Sequence, residues 1–416
     1  MERFSVRLFG TAVVALLCVT AFAWSPGPVY GAPDGYPVVH GERMDTSARK
    51  LYHSVELDVR PGYVFQTHEF LKGENSAGRP IRSSSSLHMK YLFSFGPDSY
   101  LGRVYPHVCQ GVGVSFNKFS NTGEIGRPVA LYVFQDSRLA SLSDRVALNY
   151  EWNFGASFGW KPYDETSNRY NRVVGSRVNA YMSLGIFLDW NLGKRWDLTA
   201  GASLTHYSNG NTSYPNAGVN LLEGRLGLSY AVTGRKPETD MGEPPAFRRH
   251  ISYDFVLYGA LRKKGFYLSD GNPYVAPGSF AVAGIDFNPM YSFNRFLKAG
   301  LSVDAQYDES ANIKDHLAGY PVDSQDMKFY RPPFREQFSV GLSLRAEIVM
   351  PIFSINIGIG RNVVCRGEDT DVFYQMLILK ARFTRNAFLH VGYRLSRFRD
   401  PSHLMLGIGY SFNNRR

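Results

Sequence analysis

The chain has 416 residues, 14% of them aromatic and 40 of them glycine, with a formal net charge of +10. Past the first 23 residues no window approaches the run of about 20 apolar residues that a spanning helix needs, which excludes a helical membrane protein. The surplus basic residues form no cluster interleaved with aromatics on one element, so no nucleic-acid partner is expected and anionic lipid head groups are the better match.

In chain order, the N-terminus carries Arg3 and Arg7, an apolar run over 8–22 and the small-x-small triplet Ala21-Phe22-Ala23. This predicts an export signal over 1–23. Leu17 stands before Cys18 where a lipoprotein signal wants a small residue, which argues against lipidation. Residues 24–50 read as an irregular leader. From 51 to 416 hydrophobicity is spread as alternation, the pattern of an all-β, antiparallel transmembrane β-barrel of the outer membrane. Strand-like runs occupy 54–67, 86–96, 108–116, 128–135, 146–160 and 178–192. Pro61 predicts a bulge or break in the first of them. A hairpin over 196–230 follows, then runs at 250–261, 278–291, 297–307, 338–348, 353–360, 373–383, 387–395 and 402–412. The expectation is one barrel of about 12–16 strands, closed by an aromatic-ended C-terminal strand.

Connection lengths give the orientation, because such barrels have short periplasmic turns and longer external loops. Tight turns at 193–195, 294–295, 350–351 and 385–386 alternate with long stretches at 208–218, 263–277, 308–336 and 361–372. The stretch 233–249 is the exception on the short side. By this parity the strand that starts at Trp196 runs outward.

That strand carries the polar residues with the most chemical content. Trp196, Leu198, Ala200, Ala202 and Leu204 share one face, and the period of two puts His206 and Ser208 on the same apolar face. Asn220 joins them from the returning strand, while Glu223 and Arg225 fall on the polar face, where they predict a lumen pair. A polar group on an apolar surface is costly unless partnered, so these residues call for a reason. Imidazole beside hydroxyl suits a general base and an oxygen nucleophile attacking an acyl carbonyl. Asn216 and the backbone of the Asn209-Gly210 turn can supply oxyanion donors, and Asn220 can orient the imidazole without bringing charge. Read blandly, the same residues are a polar loop that closes a hairpin.

The arrangement His206-x-Ser208-Asn209, then Pro215-Asn216-x-Gly218, resembles the outer-membrane lipid A deacylases of the PagL type, also described as acyloxyacyl hydrolases. The resemblance implies a barrel of the Gram-negative outer membrane whose active site opens on its lipid-facing wall and hydrolyses an acyl ester of lipid A in lipopolysaccharide. It implies His206 as base, Ser208 as nucleophile, and Asn216, Asn209 and Gly210 as the oxyanion hole. Where the family's full triad has a glutamate, this chain has Asn220; Glu223 is the alternative third member, reachable only through a bulge. The chain is also about twice the length such deacylases need.

The histidines outside the hairpin show no ligand spacing, so neither a metal nor another cofactor is expected. Asp308-Glu309 and Asp369-Thr370-Asp371 read as solvated loop charge. Arg361 and Arg366 are the cations placed to meet outer-leaflet phosphates. Cys109 and Cys365 form one disulfide or stay apart. Two other readings remain open: a catalytically silent, porin-like barrel, and a surface adhesin built on the 308–336 loop.

Overall fold

The computed structural model describes residues 51–237, 246–268, 273–319, 321, 327–398 and 400–414; the expected export signal and leader over 1–50 lie outside them. The all-β antiparallel expectation is met, with sixteen strands in closed barrels. Their arrangement differs from the expectation. Instead of one wide cylinder over 51–416, the sheet closes twice, with eight strands each time.

The first barrel is built from β1 (Leu51–Val64), β2 (Ser83–Phe95), β3 (Val108–Phe119), β4 (Gly126–Ser143), β5 (Val146–Trp160), β6 (Val178–Asn191), β7 (Trp196–Ser208) and β8 (Val219–Ala231). It closes where β1 pairs with β8. Pro61 leaves β1 as a single strand. Pairing with β8 lapses between Val59↔Leu226 and Gly62↔Glu223 and resumes in the same register, as expected when one residue cannot donate to the ladder.

The second barrel starts at β9 (His250–Arg262). A two-stranded external hairpin, β10 (Gly265–Tyr267) with β11 (Pro273–Val275), precedes β12 (Phe280–Ser292), β13 (Leu297–Asp308), β14 (Phe338–Val349), β15 (Phe353–Val364), β16 (Phe373–Arg382), β17 (Ala387–Ser396) and β18 (Asp400–Phe412). The expected C-terminal strand closes this barrel by pairing with β9, Leu406↔Gly259 through Phe412↔Tyr253. The connection that broke the short-long alternation now has its reason: it leads from the last strand of one barrel to the first strand of the next. Its residues 238–245 lie outside those described.

Alternation sorts the two faces. Leu57, Leu184, Ile186, Leu204 and Leu226 are at least half exposed on the first barrel, as are Leu301, Leu344 and Ile408 on the second. These are lipid-facing walls. Trp190, Trp196, Phe293, Phe296, Tyr410 and Phe412 lie exposed beside the short turns, an aromatic girdle of the kind that sits at a membrane interface.

An eight-stranded barrel has just enough interior for side chains to fill. In the first barrel the interior holds interlocked charges. Glu151 accepts from Arg60 at 3.0 Å, Lys90 at 2.8 Å and Arg225 at 2.9 Å. Asp58 pairs with Arg60 at 2.7 Å and Lys90 at 3.0 Å, and Glu56 lies 3.3 Å from Lys90. Three acids and three bases thus neutralise one another out of reach of water. The second barrel repeats the device with Lys380 between Asp254 and Glu347, and Arg345 on Asp304.

The barrels pack wall to wall. Trp152 of β5 meets Phe353 of β15 edge-on, centroids 5.2 Å apart, within an apolar cluster that includes Val133, Met350, Leu379 and Ala381. Gln135 Nε2 reaches Met350 Sδ at 2.8 Å, and Tyr105 stacks edge-on with Phe296 at 5.5 Å. Cys109, on β3 of the first barrel, and Cys365, just past β15 of the second, are free thiols.

Removing one partner from a buried ion network costs about 3–5 kcal/mol because the others stay buried and uncompensated. Glu151→Ala, which strips an acceptor from three cations at once, is expected to lower stability by about that amount. Urea unfolding of the vesicle-reconstituted protein, followed by tryptophan fluorescence, measures it.

Candidate active site on the outer wall

Strands β7 and β8 pair in unbroken register from Trp196↔Tyr230 to Tyr207↔Val219, with His206 directly opposite Asn220. Thr199, Ser203 and Thr205 are buried in the lumen, while Leu204 and Leu222 are exposed to lipid, so the period of two carries His206 and Asn220 outward. The two side chains meet there: His206 Nδ1 lies 2.6 Å from Asn220 Oδ1. A carbonyl oxygen only accepts, so Nδ1 carries the ring proton and donates it. The lone pair is left on Nε2, the atom a general base needs.

Ser208 is the next outward residue of β7, half-buried, opposite Ala180 of β6. Same-face neighbours on a strand stand about 7 Å apart, within reach of a swung imidazole. Among the described residues no hydrogen bond joins the Ser208 hydroxyl to His206. Gly218 leaves room for the ring: its φ is +74°, and a Cβ there would stand 2.9 Å from the Tyr207 carbonyl oxygen and 3.0 Å from His206 Cε1. A side chain at this position would crowd both the imidazole and the Tyr207 carbonyl.

The loop between the strands is bound to itself. The Asn209 N–H donates to Asn216 Oδ1 at 2.9 Å, Asn209 Nδ2 to the Ser213 carbonyl at 3.0 Å, and Asn216 Nδ2 to Asn211 Oδ1 at 3.2 Å. Asn209 therefore spends both its N–H and its amide on holding the turn. Gly210 sits next to it at φ +60°, buried, its N–H without an acceptor among the described residues. A second N–H of Asn216 Nδ2 also stays available. The loop's inner side rests on the β5–β6 connection: the Gly218 N–H donates to the Val173 carbonyl at 3.1 Å, and a Cβ on Gly175 would lie 2.3 Å from the Pro215 carbonyl oxygen. Asn211 and Gly175 had no signal in the sequence, because their roles come from contacts across loops.

Glu223 stays on the lumen side, 2% exposed, with no bulge to turn it outward. The expected pairing with Arg225 does not form. Glu223 accepts from Thr205 and from Ser86, while Arg225 goes to the acids of the charge belt. Partners on neighbouring strands take both groups instead. The loop acids are likewise engaged: Asp308 with Arg262 at 3.0 Å, Asp369 with Lys264 at 2.7 Å, and Asp371 with Arg361 at 3.2 Å. No group of metal-ligating side chains occurs among the described residues.

Residues 140–229 match the family lipid A 3-O-deacylase (PagL), and residues 251–414 match the acyloxyacyl hydrolase, C-terminal domain. The chain belongs to the PagL-type deacylase family. The two matches divide where the structure divides: the first holds every residue of the outward cluster, and the second spans the second barrel. No curated protein matches the chain. Among solved structures, the outer membrane enzyme PagL is 14% identical, with 41% of this chain and 97% of that one covered at a TM-score of 0.27. Neisserial surface protein A is 10% identical over 43% of this chain and 96% of its own, TM-score 0.29. The FrpB iron transporter from Neisseria meningitidis is 10% identical over 86% and 69%, TM-score 0.21. With this family membership goes residence in the outer membrane, and the apolar walls and aromatic girdle are in keeping with it.

Proposed function

We propose that the chain, exported by the signal over 1–23, is an esterase that removes an ester-linked acyl chain from lipid A of lipopolysaccharide in the Gram-negative outer leaflet. Ser208 is the nucleophile, His206 the base and Asn220 the orienting residue. The observation that carries the reading is the His206–Asn220 contact of 2.6 Å on a wall that faces lipid. A structural barrel has no use for a histidine oriented toward hydrocarbon with its second nitrogen unspent.

The chemistry follows from the geometry. His206 Nε2 takes the Ser208 proton as the oxygen attacks the ester carbonyl. The oxyanion that develops is met by the Gly210 N–H and by Asn216 Nδ2, with Asn209 holding both in place. Collapse of the tetrahedral intermediate expels the sugar oxygen, which takes the proton back from His206. Water then attacks the acyl-enzyme by the same route in reverse order. The acyl chain has a bed in the exposed Leu204, Leu222 and Leu184. Asn220 holds the ring in the useful tautomer but does not neutralise the imidazolium, an arrangement known from cysteine-histidine-asparagine hydrolases.

Ser208→Ala is expected to abolish the loss of the acyl mass from lipid A, read by mass spectrometry of lipid A from expressing cells, while the protein keeps its folded gel mobility. An unchanged mass shift from that variant sinks the assignment. Asn220→Ala leaves the imidazole free to rotate and should cut the rate about a hundredfold, at the low end of what positioned acid–base groups contribute. Both barrels are filled with charged side chains, so the steady conductance that the porin-like reading predicts should be absent from planar-bilayer recordings.

A further inference from the structure

The oxyanion loop is touched by both barrels. Its outer side meets the second barrel at two points. Leu404 of β18, 7% exposed, covers Gly210: a Cβ on that glycine would stand 2.5 Å from Leu404 Cγ and 3.0 Å from both methyl groups. One residue on, the Lys263 N–H at the end of β9 donates to the Asn211 carbonyl at 3.1 Å. Asn211 is the residue whose side chain holds Asn216, so the bond from Lys263 fixes the far end of the Asn216–Asn211 contact.

We propose that the second barrel is part of the active site, with Leu404 and the Lys263 backbone as positioning residues that clamp the oxyanion loop from outside. The proposal rests on the reading of Ser208 and His206 as the reacting pair. Its physical basis is that Gly210 and Asn211 turn through positive φ, at +60° and +63°, a conformation open to glycine and asparagine alongside others, so the contacts on either side of the loop select it. Val173 and Gly175 press the loop from within the first barrel, and Leu404 and Lys263 close the other side. The Gly210 N–H is then aimed before substrate arrives, which is when a donor is worth most to an oxyanion. The first barrel on its own presents the base and the nucleophile, and only the second completes the site.

The test compares purified full-length variants on lipid A in mixed micelles, each checked for folded gel mobility. Leu404→Ala should lower kcat about tenfold and leave KM within twofold, because the donor acts on the transition state and not on the bound chain. Leu404→Met, which refills the space, should restore most of the rate. Lys263→Pro removes the N–H and should fall with Leu404→Ala. If Leu404→Ala and Lys263→Pro both turn over within twofold of the parent while Ser208→Ala is dead, the clamp is wrong and the esterase reading stands. If Ser208→Ala still removes the chain, the esterase reading falls and takes the clamp with it. A loss confined to KM assigns the second barrel to substrate capture and also overturns the positioning role.

Discussion

A strand in hydrocarbon cannot leave a backbone N–H or carbonyl unpaired, and the whole architecture answers that constraint. Each sheet must curl until its last strand meets its first, here β8 to β1 and β18 to β9. Once closure occurs at eight strands the interior is too narrow for water to pass and too wide to leave empty. Side chains fill it, and the inward half of an alternating strand is polar. Charges in such a place must cancel locally, and the belt around Glu151 does this with groups drawn from β1, β2, β5 and β8. Pairing, closure and charge compensation are successive consequences of one demand.

The same alternation frees the outer face for chemistry. Every inward position on β7 and β8 is committed to the lumen, so a reactive group has to be outward or above the rim. His206, Ser208 and Asn220 are outward, at the loop end of strands whose lower halves are plain lipid contact. The cost of a polar group on that wall is met by partnering it sideways, as the ring and amide do across the register. Glu223 illustrates the converse. One residue out of phase, it is locked among lumen hydroxyls and is unavailable whatever its chemistry.

Much of this was legible in the sequence because the period of two is a local property. The run at 146–160 coincides with β5, and most other strand boundaries moved by only a few residues. The His206, Ser208 and Asn220 faces and the closing role of the last strand were readable in the same way. Closure number was not. Sixteen alternating runs look the same whether they form one cylinder or two, since the choice depends on which strand β8 pairs with. The long connection after Thr233 marked the division as a breach of the short-long rule, and only the pairing of β1 with β8 gave it meaning. Contacts across the molecule, such as Leu404 on Gly210 or Glu223 with Ser86, leave no trace in local pattern.

The connection between Ala231 and His250 also bears on how the walls stay together. Lipid tails are as apolar as leucine, so two barrels gain nothing from hiding apolar area and associate only through close fit. Free in a bilayer, such bodies would drift apart by mixing entropy. Joined by that one connection, they collide at a high local concentration, and a modest patch centred on Trp152 and Phe353 suffices. Tethering therefore leaves most of each perimeter to the surrounding lipid, including the stretch of wall from which a two-tailed or many-tailed amphiphile would have to approach.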